Sequence, residues 1–156
     1  MAILELTRAE IDELLHEQVV GRVGCHADGL TYVLPLIYAF DGDAIYVASI
    51  EGLKIEMMRA NPQVCFEVDE YVPGSWRSAI VQGDYEELEG EDVSTALDLL
   101  QRRFGRSDAE SNRRLVGHST VVFRIRIREV TGRARGELPR RASSDGAGPA
   151  PGAVGS

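Results

Sequence analysis

Residues 121–130 read Val-Val-Phe-Arg-Ile-Arg-Ile-Arg-Glu-Val, the most regular alternation of apolar and charged side chains in the chain. Phe123, Ile125 and Ile127 fall on one face and the arginines between them on the other, which is the two-residue period of a β-strand. A strand with one apolar and one charged face is typical of an antiparallel sheet that covers a core on one side. The stretch therefore predicts a half-buried strand near the end of the fold.

Five earlier runs have the same strand character and are separated by turn signals such as Asp28-Gly29 and Pro73-Gly74. Pro35 has no N–H to donate to a sheet, so its strand should contain a bulge or an unpaired stretch. Gly83 should mark a bulge or a bend. The predicted strands are residues 19–25, 31–40, 44–48, 64–68, 76–88 and 121–130.

Helical patterns occupy less of the chain. The Thr-x-x-Glu sequence at residues 7–10 is a capping box ahead of an amphipathic helix over residues 8–17. A short helix is predicted over residues 52–60, and a longer one over residues 91–105. Six strands in meander order with two to three helices predict a mainly β fold, in which the antiparallel sheet is closed or partly closed.

The composition is that of one globular domain, with 156 residues of which 44% are hydrophobic and 27% charged. Cys25 and Cys65 lack the spacing of a zinc site or a disulfide framework, so we expect reducing, cytoplasmic surroundings and no metal site. Neither a signal peptide nor an apolar run of about 18 residues is apparent, so we expect no membrane association. We predict a folded domain over residues 1–135 and a disordered tail rich in Ala, Gly, Pro and Ser over residues 136–156.

The charge is unevenly distributed along the chain. Residues 1–101 contain 5 basic and 20 acidic residues, whereas residues 102–156 contain 12 and 5. A chain that is acidic over its first two thirds lacks the phosphate-neutralising surface of nucleic-acid-binding proteins, so we expect no nucleic-acid partner. Lys54 is the single lysine among 17 basic residues. Its isolation among arginines makes it a candidate for a specific role.

Lys54 belongs to the segment Ser49-Ile50-Glu51-Gly52-Leu53-Lys54, which follows a predicted strand and begins a predicted helix. The free N–H groups and positive dipole end of a helix favour a phosphate, to which Ser49, Gly52 and Lys54 would add a hydroxyl, close backbone approach and a full charge. The simpler interpretation is an ordinary strand-to-helix turn, in which Ser49 caps the helix and Lys54 is solvated. The spacing leaves both interpretations open.

Four motifs follow one another along the chain. They are Gly-Arg-Val-Gly at residues 21–24, Tyr-Val-Leu-Pro-Leu-Ile-Tyr at 32–38, Ser49-x-x-Gly52-x-Lys54 running into Met-Arg-Ala-Asn-Pro at 58–62, and Trp76-Arg77-Ser78 leading to Gly83. Together they resemble the flavin-binding pyridoxamine 5'-phosphate oxidase-like family, and within it they are most similar to the nitroimidazole-resistance type. The resemblance covers roughly residues 5–130.

This resemblance implies a split β-barrel that forms a homodimer and binds two FMN molecules in grooves between the subunits. Ser49, Gly52 and Lys54 would hold the FMN phosphate, with Arg77 and Ser78 on the long strand also near the cofactor. The residues whose backbone would line the isoalloxazine ring are Leu34, Pro35, Leu36 and Ile37. Those that would lie beneath the ribityl chain and ring are Tyr46, Val47 and Ala48.

Two of the residues near the implied cofactor have alternative explanations. Trp76 either covers the flavin or fills a dimer interface, since an indole ring suits both environments. Arg77 is either a cofactor ligand or an ion-pair partner for one of the many carboxylates. The sequence leaves both pairs of alternatives open.

The sequence departs from the family in two places. Members of the nitroimidazole-resistance type often carry a histidine near the flavin where this chain has Val47-Ala48, and true pyridoxamine phosphate oxidases have a longer C-terminal substrate segment. We therefore do not expect oxidation of vitamin B6, and no catalytic residue is identified. The resemblance implies an FMN-binding oxidoreductase acting on a small redox-active acceptor. The alternatives are a non-catalytic flavin or haem storage protein and a reductase that uses the deazaflavin F420 in the same groove.

Overall fold

A computed structural model describes residues 2–115 and 120–137, with the backbone alone over residues 106–115. Within these residues the chain forms eight strands and three helices. The strands are β1 Leu4–Glu5, β2 Val20–Ala27, β3 Leu30–Ile37, β4 Ala39–Phe40, β5 Ala44–Ile50, β6 Gln63–Val72, β7 Ser75–Glu87 and β8 Thr120–Arg135. The helices are α1 Arg8–Glu17, α2 Leu53–Ala60 and α3 Glu91–Leu115. The predicted mainly β fold with two to three helices is confirmed.

The described strands form one antiparallel sheet in the order β3-β2-β6-β7-β8-β5-β4, and β1 pairs with the end of β8. The strands at the two ends of this order, β3 and β4, are consecutive in the chain. The sheet therefore curls back on itself and leaves an opening along the free edge of β3. Beyond Tyr46, β5 pairs with β8 on one edge and with no described strand on the other.

The six predicted strands correspond to six long strands, and the two-residue strands β1 and β4 are additional. The predicted strand over residues 31–40 is divided at Tyr38 into β3 and β4. The Tyr38 side chain is 1% exposed, and its hydroxyl donates to the carbonyl oxygen of Leu15 at 2.6 Å. This contact with α1 anchors the chain where it crosses from one side of the opening to the other.

Pro35 and Gly83 are both predicted to interrupt the strand pairing, but the structure has a bulge only at Gly83. The strands β2 and β3 pair in unbroken register through Pro35, and the other edge of β3 has no partner among the described strands. Of the two predicted alternatives, a bulge or an unpaired stretch, the structure therefore has the second. A proline is tolerated there because β3 is an end strand. At Gly83 the register between β7 and β8 shifts after Gln82, and a Cβ atom would lie 2.4 Å from the carbonyl oxygen of Arg126.

The apolar faces of α1, α2 and the long strands pack into one main core, whose fully buried side chains include Leu14, Val23, Ile55, Met58, Phe66 and Phe123. A smaller apolar cluster lies between β5 and the start of α3. The predicted capping box of α1 is present. The predicted helix end at Gly105 is correct only locally, because the backbone leaves helical geometry there at φ 80° and then resumes a helix to Leu115.

Residues 138–156 lie outside the described residues, so the predicted tail and the domain boundary before it stay predictions. The last strand, β8, ends at Arg135. No described helix is both long enough and apolar enough to cross a membrane. Cys25 and Cys65 are free thiols, and burial raises the pKa of the Cys25 thiol.

Candidate functional site

The loop over residues 49–52 ends at the first turn of α2 without a side-chain cap. Gly52 is the N-cap residue, and its carbonyl oxygen accepts the first helical hydrogen bond, from Glu56 N–H at 3.1 Å. A Cβ atom on Gly52 would have nothing within 4 Å. The Ser49 hydroxyl donates to the Ile50 carbonyl oxygen at 3.4 Å, so Ser49 does not cap the helix as the simpler interpretation predicted. The first N–H groups of α2 therefore have no side-chain acceptor among the described residues.

Lys54 lies in the first turn of this helix and is half-buried. It forms no hydrogen bond or ion pair with any described residue. Most arginines whose side chains are described do pair with carboxylates, namely Arg8, Arg22, Arg59, Arg77, Arg124, Arg126 and Arg128. A half-buried cation without an ion-pair partner among the described residues, beside N–H groups without a side-chain cap, is a donor set that suits an anion.

Arg59 fixes the shape of the loop from the other end of α2. Its guanidinium donates to both carboxylate oxygens of Glu51, at 2.9 and 2.7 Å, and to Glu87 at the end of β7 at 2.6 Å. These hydrogen bonds raise the pKa of Arg59. Burial raises the pKa of Glu87, but the hydrogen bonds from Arg59 and Tyr85 outweigh it, so the net pKa lies below the usual value. The bidentate pair also neutralises Glu51, the acid nearest in sequence to Gly52.

The predicted ring-lining backbone lies along the opening of the sheet. Leu34 and Leu36 turn partly towards the main core, whereas Pro35 and Ile37 are exposed. Ile37 ends β3 two residues before Ala39, whose register partner on β5 is Tyr46. The chain itself therefore brings the end of β3 beside β5, and the two strands turn unpaired edges towards the same opening.

Tyr46, Val47 and Ala48 use their side chains for packing. Val47 is buried in the main core, whereas Tyr46 and Ala48 pack in the smaller cluster against α3. The Tyr46 hydroxyl donates to Asp41 at 2.9 Å, and burial together with that carboxylate raises the pKa of Tyr46. What these three residues offer a ligand is the backbone edge of β5.

The third predicted group, Trp76, Arg77 and Ser78, begins β7, and its side chains do not share one face. Arg77 points with Ala79 towards the core side, where its guanidinium binds the carboxylates of Glu17 on α1 and Glu70 on β6. Arg77 therefore forms the ion pairs that one of its two sequence alternatives predicted, and its place near a cofactor stays a prediction. Trp76 and Ser78 are half-buried on the opposite face of the sheet.

Trp76 and Ser78 are also far, within one chain, from residues 49–54, which we call the Lys54 loop. The loop is fastened through Arg59 to Glu87, and from Ser78 to Glu87 is nine residues, or about 30 Å of strand. The structure thus brings the β3 edge, the β5 edge and the Lys54 loop to one side of the molecule. It leaves Trp76 and Ser78 at the far end of β7, beside a groove of about 690 Å³ that is also lined by Arg8, Ile80, Thr131 and Arg133.

Sequence reasoning missed Arg59, which lies within a quoted motif without a role. Its partners Glu51 and Glu87 are 8 and 28 residues away, a distance at which no helical or strand period predicts a contact. The only sequence signal is a basic residue at the end of α2, which by itself indicates favourable interaction with the helix dipole.

Comparison with known proteins agrees with the predicted resemblance. The family model for pyridoxamine 5'-phosphate oxidase matches residues 7–134. A curated relative from Rhizobium meliloti (strain 1021), uncharacterized protein RA0666, is 33% identical over 89 residues, which is 56% of this chain. The matched segment spans 59% of that relative's length.

Two solved structures are similar over most of the chain. One is described as a FAD-binding protein (mll6688) of Mesorhizobium loti; it is 39% identical, with a TM-score of 0.71, and the match covers 88% of this chain and 99% of that one. The other is a candidate 5-nitroimidazole antibiotic resistance protein of Bacteroides thetaiotaomicron. It is 23% identical, with a TM-score of 0.69, and the match covers 85% of this chain and 87% of that one. The fold is the split barrel of these neighbours. The chain belongs to the pyridoxamine 5'-phosphate oxidase-like family.

Proposed function

We propose that this protein binds a flavin nucleotide and uses it as an oxidoreductase towards a small redox-active acceptor. The observation that carries the proposal is Lys54, a half-buried cation with no partner among the described residues, at the uncapped start of α2. FMN is the smallest flavin that has both a phosphate for the start of α2 and a ring for the opening between β3 and β5. FAD, the cofactor named for the Mesorhizobium loti protein, contains the same ring, ribityl chain and first phosphate.

The phosphate would lie at the start of α2. Free N–H groups and the helix dipole favour an anion there, and Lys54 supplies a full positive charge. The empty space before Gly52 leaves room for phosphate oxygens at the backbone, and the Ser49 hydroxyl, held by one long hydrogen bond, is available to donate. Arg59 supports the same site indirectly, because it neutralises Glu51 and ties the loop to β7.

The isoalloxazine ring would lie in the opening between the edges of β3 and β5. Its pyrimidine portion carries alternating hydrogen-bond donors and acceptors, which match the N–H and C=O groups of a strand edge. The backbone of residues 34–37 would pair with it, and residues 46–48 would lie beneath it. Pro35 lacks an N–H group, so the pairing groups come from its neighbours.

The proposed site is completed by a second copy of the chain. Trp76 and Ser78 lie about 30 Å of strand from the Lys54 loop, so one flavin can contact both groups only if they come from different subunits. Exposed apolar side chains on β3, namely Leu30, Tyr32, Val33 and Ile37, support a homodimer, because such patches mark association surfaces. We place the dimer in the cytoplasm, in keeping with two free cysteines.

The bound flavin would supply the redox chemistry, accepting and donating electrons at its ring. The chain would bind the cofactor, orient it and shield one face from water. No acid or base is assigned, since the ring-lining residues contain one ionisable side chain, Tyr46, and its hydroxyl is committed to Asp41.

The hydrogen bond that holds the Tyr46 hydroxyl on Asp41 leaves no proton donor assigned beside the ring. This favours a second candidate, a carrier that stores or senses a flavin without turnover. A carrier needs the phosphate and ring contacts but no proton donor beside the ring. The two candidates are distinguished by mixing the flavin-loaded protein with a nitroaromatic or quinone acceptor. An oxidoreductase cycles the bound flavin faster than free flavin reacts, and a carrier does not.

The binding site itself is tested by titrating flavin-free protein with FMN and following flavin fluorescence. The variant Lys54→Met keeps the buried stem and removes the charge, and Arg126→Gln is the control because it removes one positive charge elsewhere. We expect FMN affinity to fall strongly in Lys54→Met and to stay unchanged in the control. Equal affinity in all three proteins contradicts the assignment of Lys54, and tight binding of haem or F420 in place of FMN contradicts the flavin assignment.

A further inference from the structure

Tyr85 is a buried tyrosine near the end of β7, and its hydroxyl reaches a charged group at the surface. The Tyr85 ring packs against Phe123 in the main core, with the two ring centroids 5.0 Å apart. The hydroxyl donates to Oε1 of Glu87 at 2.9 Å. Residues two apart on a strand point to the same face, which is why these two side chains meet. This hydrogen bond connects the main core to the ion pairs of the Lys54 loop.

The Glu87 carboxylate continues the connection to Arg59. Oε1 of Glu87 also accepts hydrogen bonds from Nε and Nη2 of Arg59, at 3.0 and 2.6 Å. On its other edge the same guanidinium donates from Nη1 and Nη2 to Glu51, at 2.9 and 2.7 Å. Every guanidinium nitrogen of Arg59 is therefore hydrogen-bonded to a carboxylate, and the plane of the group is fixed between two acids.

The backbone also joins the end of β7 to the end of α2. The N–H of Tyr85 donates to the carbonyl oxygen of Pro62 at 2.8 Å, two residues after α2 ends at Ala60. Arg59 lies in the last turn of that helix, so Arg59 and Glu87 face each other from two fixed elements. Burial, together with the hydrogen bond to Glu87, raises the pKa of Tyr85. The hydroxyl therefore stays protonated and remains a donor at neutral pH.

The ion pair between Arg59 and Glu51 depends on this support because both side chains are exposed, at 41% and 40%. An exposed ion pair contributes little by itself, since holding two long side chains together costs conformational entropy. Arg59 has already lost most of that freedom to Glu87, so its pair with Glu51 forms at a lower entropic cost. The contacts on the β7 side of Arg59 thus stabilise the contact on the loop side.

We propose that Tyr85 and Glu87 are positioning residues for the flavin phosphate, through their hold on Arg59. This inference rests on the proposed flavin site at the Lys54 loop. When Arg59 covers Glu51, the negative charge of the loop is neutralised, and the helix dipole and Lys54 attract the phosphate. When Arg59 is released, the Glu51 carboxylate repels the phosphate.

The sign of the effect distinguishes this role from direct electrostatics. Glu87→Gln removes a negative charge near the Lys54 loop, so direct electrostatics predicts tighter binding of FMN. Release of Arg59 predicts the opposite, and we expect FMN affinity to fall about fivefold. Tyr85→Phe changes no charge and keeps the ring in the core, and we expect a fall of about threefold. Tighter or unchanged binding of FMN in either variant overturns the proposal.

Riboflavin, which is FMN without the phosphate, tests whether the loss concerns the phosphate. Flavin-free protein is titrated with both compounds, and the riboflavin affinity of both variants should stay within about twofold of wild type. An equal loss of both compounds overturns the proposal, because it indicates general damage to the site.

Asp84→Asn is the matched control for Glu87→Gln. Asp84 lies on the same strand and is 37% exposed, as Glu87 is. Asp84 pairs with Arg128, in the half of β8 whose arginines are all paired with carboxylates. The control should leave the affinities for FMN and riboflavin unchanged. A fivefold loss of FMN affinity in Asp84→Asn overturns the proposal, since it shows that any carboxylate of β7 has the same effect.

A double-mutant cycle tests the route through Glu51. In the Glu51→Gln background no loop carboxylate is left for Arg59 to neutralise, so Tyr85→Phe should leave FMN affinity unchanged there. A merely structural role of Tyr85 predicts the same threefold loss in both backgrounds, and that result overturns the proposal.

The outcomes also separate this inference from the proposed function. Wild-type protein that binds FMN, with a loss in Lys54→Met but none in Tyr85→Phe and Glu87→Gln, refutes the positioning role and leaves the flavin site standing. Wild-type protein that binds neither FMN nor riboflavin refutes both.

Discussion

Lys54 and Arg77 are both cations that the family motifs assign to the cofactor, yet their surroundings in the structure are opposite. Lys54 is half-buried at an uncapped helix start and has no partner among the described residues. Arg77 is held by Glu17 and Glu70 at the other end of the sheet. A cation that is already paired contributes mainly to the fold, whereas an unpaired one is available to a ligand. The comparison therefore predicts different roles for two cations that occur in motifs of the same family.

The largest effect should come from Lys54. Lys54→Met should weaken FMN binding about 100-fold, because charge-assisted hydrogen bonds to a phosphate are among the strongest that a site offers. Lys54→Arg should recover most of the affinity, since it restores the charge. Isothermal titration of flavin-free protein measures both variants. Equal weakening in Lys54→Met and Lys54→Arg would show that side-chain shape, not charge, matters at this position.

A smaller effect is expected from the residue that supports the loop. Arg59→Leu should lower FMN affinity about tenfold, because it leaves the Glu51 carboxylate unneutralised near the phosphate. The double variant Glu51→Gln with Arg59→Leu should bind more tightly than Arg59→Leu alone, since the like charge is removed. The same titration tests this double-mutant cycle. If the double variant binds as weakly as the single one, Arg59 acts through loop shape and not through the charge of Glu51.

Arg77 should show the reverse behaviour of Lys54. Arg77→Met should change FMN affinity less than about twofold but lower the free energy of unfolding by about 1–3 kcal/mol, because Glu17 and Glu70 lose their partner in a partly buried setting. Denaturant unfolding and the flavin titration measure the two quantities on the same protein. A large loss of flavin affinity with unchanged stability would return Arg77 to the cofactor site.

The smallest effect concerns the paired half of β8. The hydrogen bond from Arg124 holds the pKa of Glu86 below its usual value. A carboxyl whose pKa is lowered by folding stabilises the protein above its unfolded pKa and loses that contribution as the pH falls through its folded pKa. Glu86→Gln should therefore destabilise the protein by a few tenths of a kcal/mol at neutral pH and by nothing in acid. Urea unfolding at a series of pH values measures the difference, which should not grow as the pH falls.

Local patterns predicted much of the fold. The capping box of α1, the alternation in β8 and the bulge at Gly83 each depend on residues close together in sequence, and each is confirmed. The division of a predicted strand at Tyr38 depends on a hydrogen bond to Leu15 that no local pattern encodes. The two-residue strands were missed for the same reason, because their pairing partners are distant in the chain.

The candidate site was predictable in its residue types and less so in its geometry. The solitary Lys54 and the strand-to-helix segment before it made a phosphate site one of two interpretations, and the other was an ordinary turn. The two-residue period already placed Arg77 on the face of Ala79 and Val81, but the opposite face is also partly apolar, so the pattern did not tell which one was inward. That the Lys54 segment lies near the Glu87 end of β7, and Arg77 near the start of that strand, followed only from the ion pairs of Arg59 with Glu51 and Glu87.

The visible absorption spectrum of the freshly purified protein, recorded before and after addition of flavin and removal of the excess, tests the central claim most directly. We predict the two absorption bands of an oxidised flavin, retained by the protein in about equimolar amount and lost in Lys54→Met. A colourless protein that retains neither FMN nor FAD, or one that shows haem or deazaflavin bands in their place, would contradict the account.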